Sequence, residues 1–171
     1  IWYFNFYKNQ KMMDLLKKDT VKRVDFCLKK FKKNLKIITL NTTARTAREA
    51  ANSLKCDLGA IIKSLVFKSN GEFIICLVPG DKKCSLNKLK KILLKKDVSM
   101  AGADEVKKYT GFSIGGVAPV AHLKKFDILI DKSLNRFNFV YGAAGHPDCV
   151  FKISYKDLIK ITNGLEKEIT E

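Results

Sequence analysis

The sequence is poor in the residues that most metal and nucleotide sites require. Its 171 residues include only two histidines, His122 and His146, and neither lies in H-E-x-x-H or in a spacing shared with cysteine. The phosphate-binding patterns G-x-x-x-x-G-K-S/T and G-x-G-x-x-G are missing, as is the G-x-S-x-G turn of many serine hydrolases. We therefore expect no bound metal, no nucleotide cofactor and no serine nucleophile.

Paired cysteines and long apolar runs are also lacking. The five cysteines are odd in number and contain no C-x-x-C pair, and Cys76 lies in an apolar run, which favours free thiols in a reducing, cytoplasmic environment. The aromatic residues 1–7 are interrupted by Asn5 and followed by lysines, so they are too short for a signal peptide or a membrane span. We expect no membrane partner, a poorly ordered extension over residues 1–18, and a start-site extension before Met12.

Acidic residues are scarce relative to basic ones. The chain has 33 Lys and Arg against 17 Asp and Glu, a formal net charge of +16, while 46% of its residues are hydrophobic. That hydrophobic content is enough to close a core, so we expect a folded domain. The charge favours a polyanionic partner such as nucleic acid or an anionic membrane surface, although a generally lysine-rich composition would explain it equally well.

Several segments have helical patterns. From residue 21 to residue 31 apolar residues recur at helical spacing between lysines, with Asp19 or Thr20 as the predicted N-cap. Capping residues mark the starts of three further helices: Thr46 with Glu49, Ser85, and Ser154 with Asp157. A short helix is also predicted from Asp104 to Tyr109, ended by Gly111.

Strand patterns indicate the fold class. Two apolar runs, residues 61–67 and 73–79, flank the Asn-Gly pair at 70–71, which is typical of a tight hairpin. Shorter strands are predicted at 36–40, 126–130, 137–141 and 150–153. Because strands and helices mix without a βαβ rhythm, we predict one α+β domain with a mixed, mostly antiparallel, β-barrel-like sheet flanked by helices. We place it at residues 19–163, followed by a tail at 164–171.

Lys63 is unusual because it lies in an apolar strand. Strand alternation places it on one face with Ile61, Leu65 and Phe67. Its ammonium either binds an anion in a cavity on that face or belongs to a strand-end lysine whose head reaches water.

Two glycine-containing stretches offer close approach to the main chain. Residues 115–119, Gly-Gly-Val-Ala-Pro, can present N–H groups to a ligand or form a simple flexible turn, and residues 142–145 repeat the theme after a strand. Cys149 and His146 are near in sequence, so a thiol nucleophile with a histidine base is a further alternative.

Taken together and in order, six blocks carry a resemblance to a known family. They are Thr46-Ala-Arg-Glu-Ala-Ala51, Ile62-Lys-Ser-Leu-Val-Phe67, Leu77-Val-Pro-Gly-Asp81, Thr110-Gly-Phe-Ser-Ile-Gly-Gly-Val-Ala-Pro119, Ile128-Leu-Ile-Asp131 and Tyr141-Gly-Ala-Ala-Gly145. From about residue 21 to residue 161, the chain resembles the family of YbaK, the editing insertion domain of bacterial prolyl-tRNA synthetase and free-standing trans-editing proteins.

The resemblance implies an aminoacyl-tRNA deacylase, which hydrolyses the ester between a wrong amino acid and the 3′-terminal adenosine of tRNA. Mischarged tRNA is the implied partner, an aminoacyl-tRNA synthetase is a second one, and no cofactor is implied. Lys63 matches the lysine of the family's K-S-L or K-T-L strand, and Gly115 and Gly116 lie in its G-x-x-x-P loop, so these three are the candidate catalytic residues. The candidate substrate-binding residues are Thr46, Val117, Ala118, Pro119, Ala143, Ala144, Gly145 and His146.

The implied chemistry needs no side-chain nucleophile. We expect a water molecule to attack the ester with help from the terminal 2′-OH, while Lys63 holds the terminal phosphate or carbonyl region and N–H groups near Gly115 and Gly116 stabilise the oxyanion. The basic charge supplies candidate contacts to the tRNA backbone, each of which is equally explained as a solvated surface residue: Lys22, Arg23, Lys29, Lys30, Lys82 and Lys83.

One departure from the family affects specificity. Members that act on cysteinyl-tRNA often have serine beside the second glycine stretch, where this chain has Ala143 and Ala144 followed by His-Pro-Asp at 146–148. We therefore expect a small noncognate amino acid without assigning cysteine, on a tRNA such as those for proline, threonine or alanine. The rival hypothesis is a noncatalytic tRNA- or synthetase-binding module of the same fold.

Overall fold

Six helices and eight strands form within residues 2–171, the part of the chain that the computed structural model describes. The helices are α1 (Trp2–Leu16), α2 (Asp19–Phe31), α3 (Ala47–Leu54), α4 (Leu86–Leu93), α5 (Ala103–Thr110) and α6 (Tyr155–Thr162). The strands are β1 (Ile37–Thr39), β2 (Ile62–Ser69), β3 (Glu72–Pro79), β4 (Ser99–Met100), β5 (Asp127–Asp131), β6 (Phe139–His146), β7 (Cys149–Ser154) and β8 (Leu165–Lys167).

The strands form two sheets. A five-stranded sheet has the order β4-β2-β3-β5-β8, in which β5 is parallel to both of its neighbours and the other pairs are antiparallel. A three-stranded antiparallel sheet has the order β1-β7-β6. An isolated bridge between Ile61 and Tyr141 connects the two sheets. The predicted α+β class is confirmed, with two sheets in place of a closed barrel.

Local signals in the sequence predicted the β2–β3 hairpin and most helix starts. Asn70 and Gly71 both have positive φ, 50° and 80°, as a two-residue hairpin turn requires. The predicted caps at Thr46, Ser85 and Ser154 are confirmed, since each side chain accepts a hydrogen bond from the N–H three residues on.

The predicted N-cap of α2 is wrong. Lys18 precedes the first helical residue and has no side-chain capping bond, while Asp19 lies in the first turn. The Lys22 N–H already donates to the Lys18 carbonyl at 2.9 Å, so the helix begins one residue before a cap at Asp19 would allow.

Regular secondary structure occurs near both ends of the described chain. Residue 1 of the expected extension lies outside the described residues, but α1 occupies most of the rest and buries Leu15. Strand β8 pairs with β5, and buried Asp131 accepts hydrogen bonds from the main-chain N–H groups of Ile169 and Thr170. The segment after residue 163 has one buried apolar residue, Ile169, and so it lacks the apolar periodicity from which a strand could be predicted.

Alternation along β3 divides the core around the larger sheet. Ile75 and Leu77 are fully buried in the main core, which also contains Phe112 and Phe151. Cys76 points to the opposite face with Val78, into a second cluster under α4. A third cluster packs the alanine face of α3 against β7. Strand β2 therefore has one face toward each of the first two cores.

His122 is a structural residue of the main core. Its Nε2 lies 2.7 Å from the Ala118 carbonyl oxygen, and its ring packs edge-on against Phe112 and Phe126. Burial lowers the pKa of His122 to about 4, so the neutral ring donates from Nε2 to this carbonyl at ordinary pH.

Replacing His122 with glutamine should flatten the pH dependence of stability. Burial holds the pKa of His122 in the folded state near 4, below its value of 6.5 in the unfolded state. The stability that neutral His122 contributes is therefore fully present above pH 6.5 and is lost as pH falls from 6.5 toward 4. The loss is on the order of 3 kcal/mol, about 1.4 kcal/mol for each unit of pKa. Urea unfolding at pH 7 and pH 4.5 checks this, and an equal loss in wild type and variant would contradict it.

Candidate functional site

A cavity of about 320 Å³ lies beside β2. Its walls come from β2, the start of α3, the β6–β7 hairpin, the β4–α5 region and the loop over residues 111–119. Arg45 and Thr46 are exposed at one side, whereas Ile62, Val66 and Val106 are buried. The cavity thus has a polar rim and an apolar interior.

The structure brings only some of the expected site residues to this cavity. Five of them line it: Lys63, Gly115, Thr46, Val117 and Ala143. The others lie outside its lining: Gly116, Ala118, Pro119, Ala144, Gly145 and His146.

The two glycine stretches are bonded to each other behind the wall. Residues 142–145 belong to β6, with a register shift between Ala143 and His146, and do not form the loop expected after a strand. The Gly145 N–H donates to the Gly116 carbonyl at 3.1 Å, and a Cβ on Gly116 would lie only 3.0 Å from the His146 backbone. Glycine at 116 therefore allows the loop to approach β6.

The remaining small residues serve packing. Pro119 lies against Gly142, where a Cβ would come within 2.9 Å of the proline ring. Gly145 has φ +86° and lies against the main chain of Thr20, at the start of α2. Ala144 is fully buried in the main core. These contacts hold the 111–119 loop and α2 against β6.

Gly115 and Gly116 are not equivalent as donors. The Gly116 N–H already donates to the Ser113 carbonyl at 2.9 Å within the turn. Gly115 is exposed, lines the cavity and has φ +93°, a conformation that favours glycine. Of the two, only Gly115 places its backbone in the cavity wall.

Lys63 lines the cavity near the start of β2 and is half-buried. Leu65 and Phe67, which share its face by strand alternation, pack into the second core cluster. The Lys63 Nζ donates to the main-chain carbonyl of Lys82, just beyond β3. The ammonium is therefore hydrogen-bonded within the protein, while Lys63 as a residue forms part of the cavity wall.

The surroundings of Lys63 weaken its hold on the proton. Burial lowers the pKa of Lys63, and the Asp81 carboxylate opposes this shift. Asp81 is itself engaged by Arg136, whose two terminal nitrogens donate to its two oxygens at 2.9 and 2.8 Å. The Asp81 carboxylate therefore offsets only part of the effect of burial on Lys63. An anion that hydrogen-bonds to Lys63 would add further negative charge beside the ammonium.

Within the described chain, no carboxylate, imidazole or thiol lines the cavity. Its ionisable lining groups are Arg45, Lys63 and Tyr141. The Thr46 hydroxyl accepts from the Glu49 N–H as the cap of α3. The cavity can position a ligand and stabilise negative charge, but it holds no conventional general base.

Sequence reasoning missed three polar wall residues, Arg45, Ser64 and Tyr141. Ser64 lines the cavity beside Lys63, and its position within the matched K-S-L block was the available signal. Met100, Ala101 and Val106, also in the wall, follow the lysine-rich α4 and carried no signal of a site.

The structure argues against a thiol hydrolase at Cys149 and His146. The Nδ1 of His146 accepts from the Asp148 N–H at 3.0 Å, and burial lowers the pKa of His146. Burial and the Asp148 carboxylate raise the pKa of the Cys149 thiol to about 11, so a thiolate is disfavoured at neutral pH. Neither residue lines the cavity.

Cys149→Ala should retain hydrolytic activity to within about 2-fold per folded molecule, since the side chain packs in the core and its thiol stays protonated. The measurement is the initial rate of ester hydrolysis, with circular dichroism to determine the folded fraction. A folded variant that had lost activity completely would restore the thiol hypothesis.

The candidate RNA-contacting residues differ in their availability. Lys22, Lys30 and Lys83 are exposed, and Lys82 is half-buried. The Lys29 Nζ pairs with Asp25 at 2.7 Å on the surface of α2. These lysines lie on α2 and after β3, and none of them is among the residues that line the cavity.

Arg23 has a structural role. Its Nε donates to the Ala121 carbonyl at 2.8 Å, and its guanidinium lies 4.5 Å from the Phe112 ring centre. The side chain thereby connects α2 to the segment after residue 119.

Two further site types find no support between residues 2 and 171. No group of three or more metal-binding side chains lies close together there. None of the helices is both long enough and apolar enough to cross a membrane.

Comparison with known proteins identifies the family. The model of the aminoacyl-tRNA editing domain matches residues 41–161, which include β2, the 111–119 loop and β6. The chain belongs to the aminoacyl-tRNA editing domain family. The resemblance described from the six sequence blocks is confirmed.

Two similar proteins illustrate the range of the editing-domain family. A proline–tRNA ligase of Thermosipho africanus is 37% identical over 108 residues, 63% of this chain and 19% of the ligase. EbsC of Enterococcus faecalis, a candidate Cys-tRNA(Pro)/Cys-tRNA(Cys) deacylase by name, is 27% identical over 126 residues, 73% of this chain and 77% of EbsC. The chain thus spans less than a fifth of that ligase and most of EbsC.

A solved structure supports the fold of this editing domain. A candidate trans-editing enzyme for prolyl-tRNA synthetase superposes with a TM-score of 0.85 at 31% sequence identity, covering 90% of this chain and 98% of the other. The editing-domain fold therefore extends beyond the residues that the family model matches.

Proposed function

We propose that this protein is an aminoacyl-tRNA deacylase that removes a mischarged small amino acid from tRNA. The observation that carries the proposal is a cavity bordered by Lys63 and Gly115, in a domain of the aminoacyl-tRNA editing family, without a carboxylate, imidazole or thiol in the described lining. An ester linked to a ribose with a neighbouring hydroxyl is a substrate that such a site can hydrolyse by positioning and charge stabilisation.

The polarity of the cavity orients the substrate. Its exposed rim includes Arg45, which suits the phosphates of the tRNA end, while the buried interior suits an amino-acid side chain. The volume of about 320 Å³ leaves room for a small aminoacyl group with part of the terminal ribose.

Lys63 and Gly115 stabilise negative charge in this proposal. The Lys63 ammonium exchanges its bond to the Lys82 carbonyl for the terminal phosphate or the ester carbonyl region. The main chain at Gly115 faces the developing oxyanion, whereas Gly116 shapes the turn because its N–H is already bonded. The other expected residues that do not line the cavity pack behind its wall and hold these groups in place: Ala118, Pro119, Ala144, Gly145 and His146.

The substrate supplies the group that directs the attack. The terminal 2′-OH orients the water molecule that adds to the ester carbonyl, and the amino acid leaves as its acid while the 3′-OH of the adenosine is regenerated. The exposed lysines of α2 and Lys83 attract the tRNA backbone in a sequence-independent manner. An aminoacyl-tRNA synthetase is a further proposed partner, and the activity belongs in the cytoplasm, where tRNA is charged.

A panel of mischarged tRNAs tests the function. The transcripts for proline, threonine and alanine, each carrying a radiolabelled small noncognate amino acid, are incubated with the protein, and amino-acid release is compared with buffer alone. Release well above the buffer rate for at least one combination is expected.

The same panel distinguishes the noncatalytic alternative. A binding module would form a complex with tRNA that weakens as salt rises, yet it would leave every ester at its spontaneous rate. Lys63 together with the open Gly115 backbone favours the enzyme, because binding alone requires neither group in a cavity.

A further inference from the structure

Ser64 has a buried hydroxyl without a hydrogen-bond partner at the cavity wall. In the described part of the chain, the Oγ atoms of Ser64 and Ser69 are the two buried side-chain polar atoms left unpaired. Ser64 lines the cavity and Ser69 does not. An unpaired buried hydroxyl destabilises the protein, so its presence in a binding cavity points to a ligand that pairs with it.

The neighbours of Ser64 offer no alternative partner. Strand alternation places its side chain on the same face as Ile62 and Val66, both buried in the main core. Ala101 and Val106 complete this part of the wall. The hydroxyl therefore lies buried among apolar side chains in the cavity wall.

The edge of β2 is open at this point. The Ile61 carbonyl accepts from Gly80 on the β3 side, while the Val66 carbonyl accepts from Ala101 on the other side. The main chain of Ser64, two residues before Val66, therefore also points away from β3. Strand β4 pairs only with residues 67–68, so no strand partner covers Ser64 there.

We propose that Ser64 is a specificity-determining residue whose hydroxyl hydrogen-bonds the side chain of the mischarged amino acid. This inference rests on the proposed deacylase function. Since the RNA end occupies the polar rim, the group that reaches the interior is the amino-acid side chain. The preferred substrate class is a small amino acid with a side-chain hydroxyl or thiol, and an alanyl ester leaves Ser64 unpaired.

Discrimination between serine and alanine on one tRNA tests this assignment. Proline tRNA transcripts carrying serine or alanine are hydrolysed by wild type, Ser64→Ala and Ser69→Ala, with kcat/KM corrected for spontaneous hydrolysis. A site that hydrogen-bonds a substrate hydroxyl should favour the seryl over the alanyl ester by about 10-fold or more. Ser64→Ala should reduce that ratio to about one, mainly by slowing the seryl ester.

Ser69→Ala is the matched control, because it removes the other unpaired hydroxyl from the same strand without touching the cavity. It should keep the wild-type ratio. Both variants should melt at or above the wild-type temperature, since each loses an unsatisfied buried group. If Ser64→Ala fails to fold, the seryl-to-alanyl ratio of kcat/KM in the wild type decides whether the assignment holds. Ser64→Thr, which keeps a hydroxyl, should preserve that ratio.

The possible outcomes separate this inference from the proposed function. A wild-type protein that hydrolyses neither ester nor any other member of the panel overturns both. An active wild-type protein without preference for serine, or a Ser64→Ala variant that slows both esters equally, overturns only the role of Ser64. Loss of the preference in Ser64→Ala but not in Ser69→Ala supports it.

Discussion

Replacing Lys63 with alanine should lower kcat/KM for deacylation by about 100-fold or more, the usual effect of removing one group that stabilises transition-state charge. Lys63 is half-buried and lines the cavity, and an ammonium in such surroundings interacts with an anion more strongly than in water. The fold should survive, because within residues 2–171 the Lys63 side chain loses one hydrogen bond, that to the Lys82 carbonyl. Initial rates on the best mischarged tRNA, together with thermal melting, measure both effects.

Lys68→Ala is the matched control for this variant. Lys68 lies on the same strand and is also half-buried, but its Nζ pairs with Glu105 at 2.9 Å and does not line the cavity. Its loss should leave the rate near the wild-type value. Lys63→Met keeps the length of the side chain without its charge and should be as slow as Lys63→Ala. Unchanged deacylation in a folded Lys63→Ala protein would remove Lys63 from the site.

A tRNA that ends in 2′-deoxyadenosine should resist the enzyme, with turnover reduced by at least about 100-fold, because the water loses the group that positions it. The described cavity lining offers no carboxylate, imidazole or thiol to replace that hydroxyl. The substrates are 3′-aminoacylated transcripts that differ only at the terminal 2′ position. Release of the labelled amino acid is measured above the buffer rate of each substrate.

Binding must be measured beside turnover. The deoxy substrate should still compete with the normal one, since the contacts proposed for Lys63 and the exposed lysines involve other parts of the tRNA. Competition without hydrolysis is the expected result. Hydrolysis of the deoxy substrate at the normal rate would exclude assistance by the 2′-OH and would require a protein group that activates water.

Features set by neighbours in sequence could be predicted well. The Asn70-Gly71 turn and the Thr46 capping box depend on residues within three positions of each other, and both appear as expected. The continuous apolar run of residues 73–79 likewise indicated a strand, and the structure buries both faces of its second half. Strand β8 escaped notice because its place depends on bonds from the following residues to Asp131, some 38 positions away.

The structure brings only part of the expected set of site residues to one cavity. Lys63, Gly115 and Thr46 do line one cavity, although they are far apart in sequence. Neither Gly116 nor Arg23 could be assigned from the sequence, since the main-chain bond of one and the contacts of the other with Ala121 and Phe112 come from long-range packing.

The sequence by itself determined the fold class, the family and the strand and loop that border the cavity, because periodicity, capping and ordered motif blocks are local properties. Tertiary structure alone decided which atoms remain free in the cavity. In the folded chain the Gly116 N–H is already hydrogen-bonded, and the Lys63 ammonium donates to the Lys82 carbonyl, whereas the Ser64 hydroxyl is left unpaired. A hydrogen-bonding group is available only when no folded neighbour has taken it, and those neighbours are assembled by the fold.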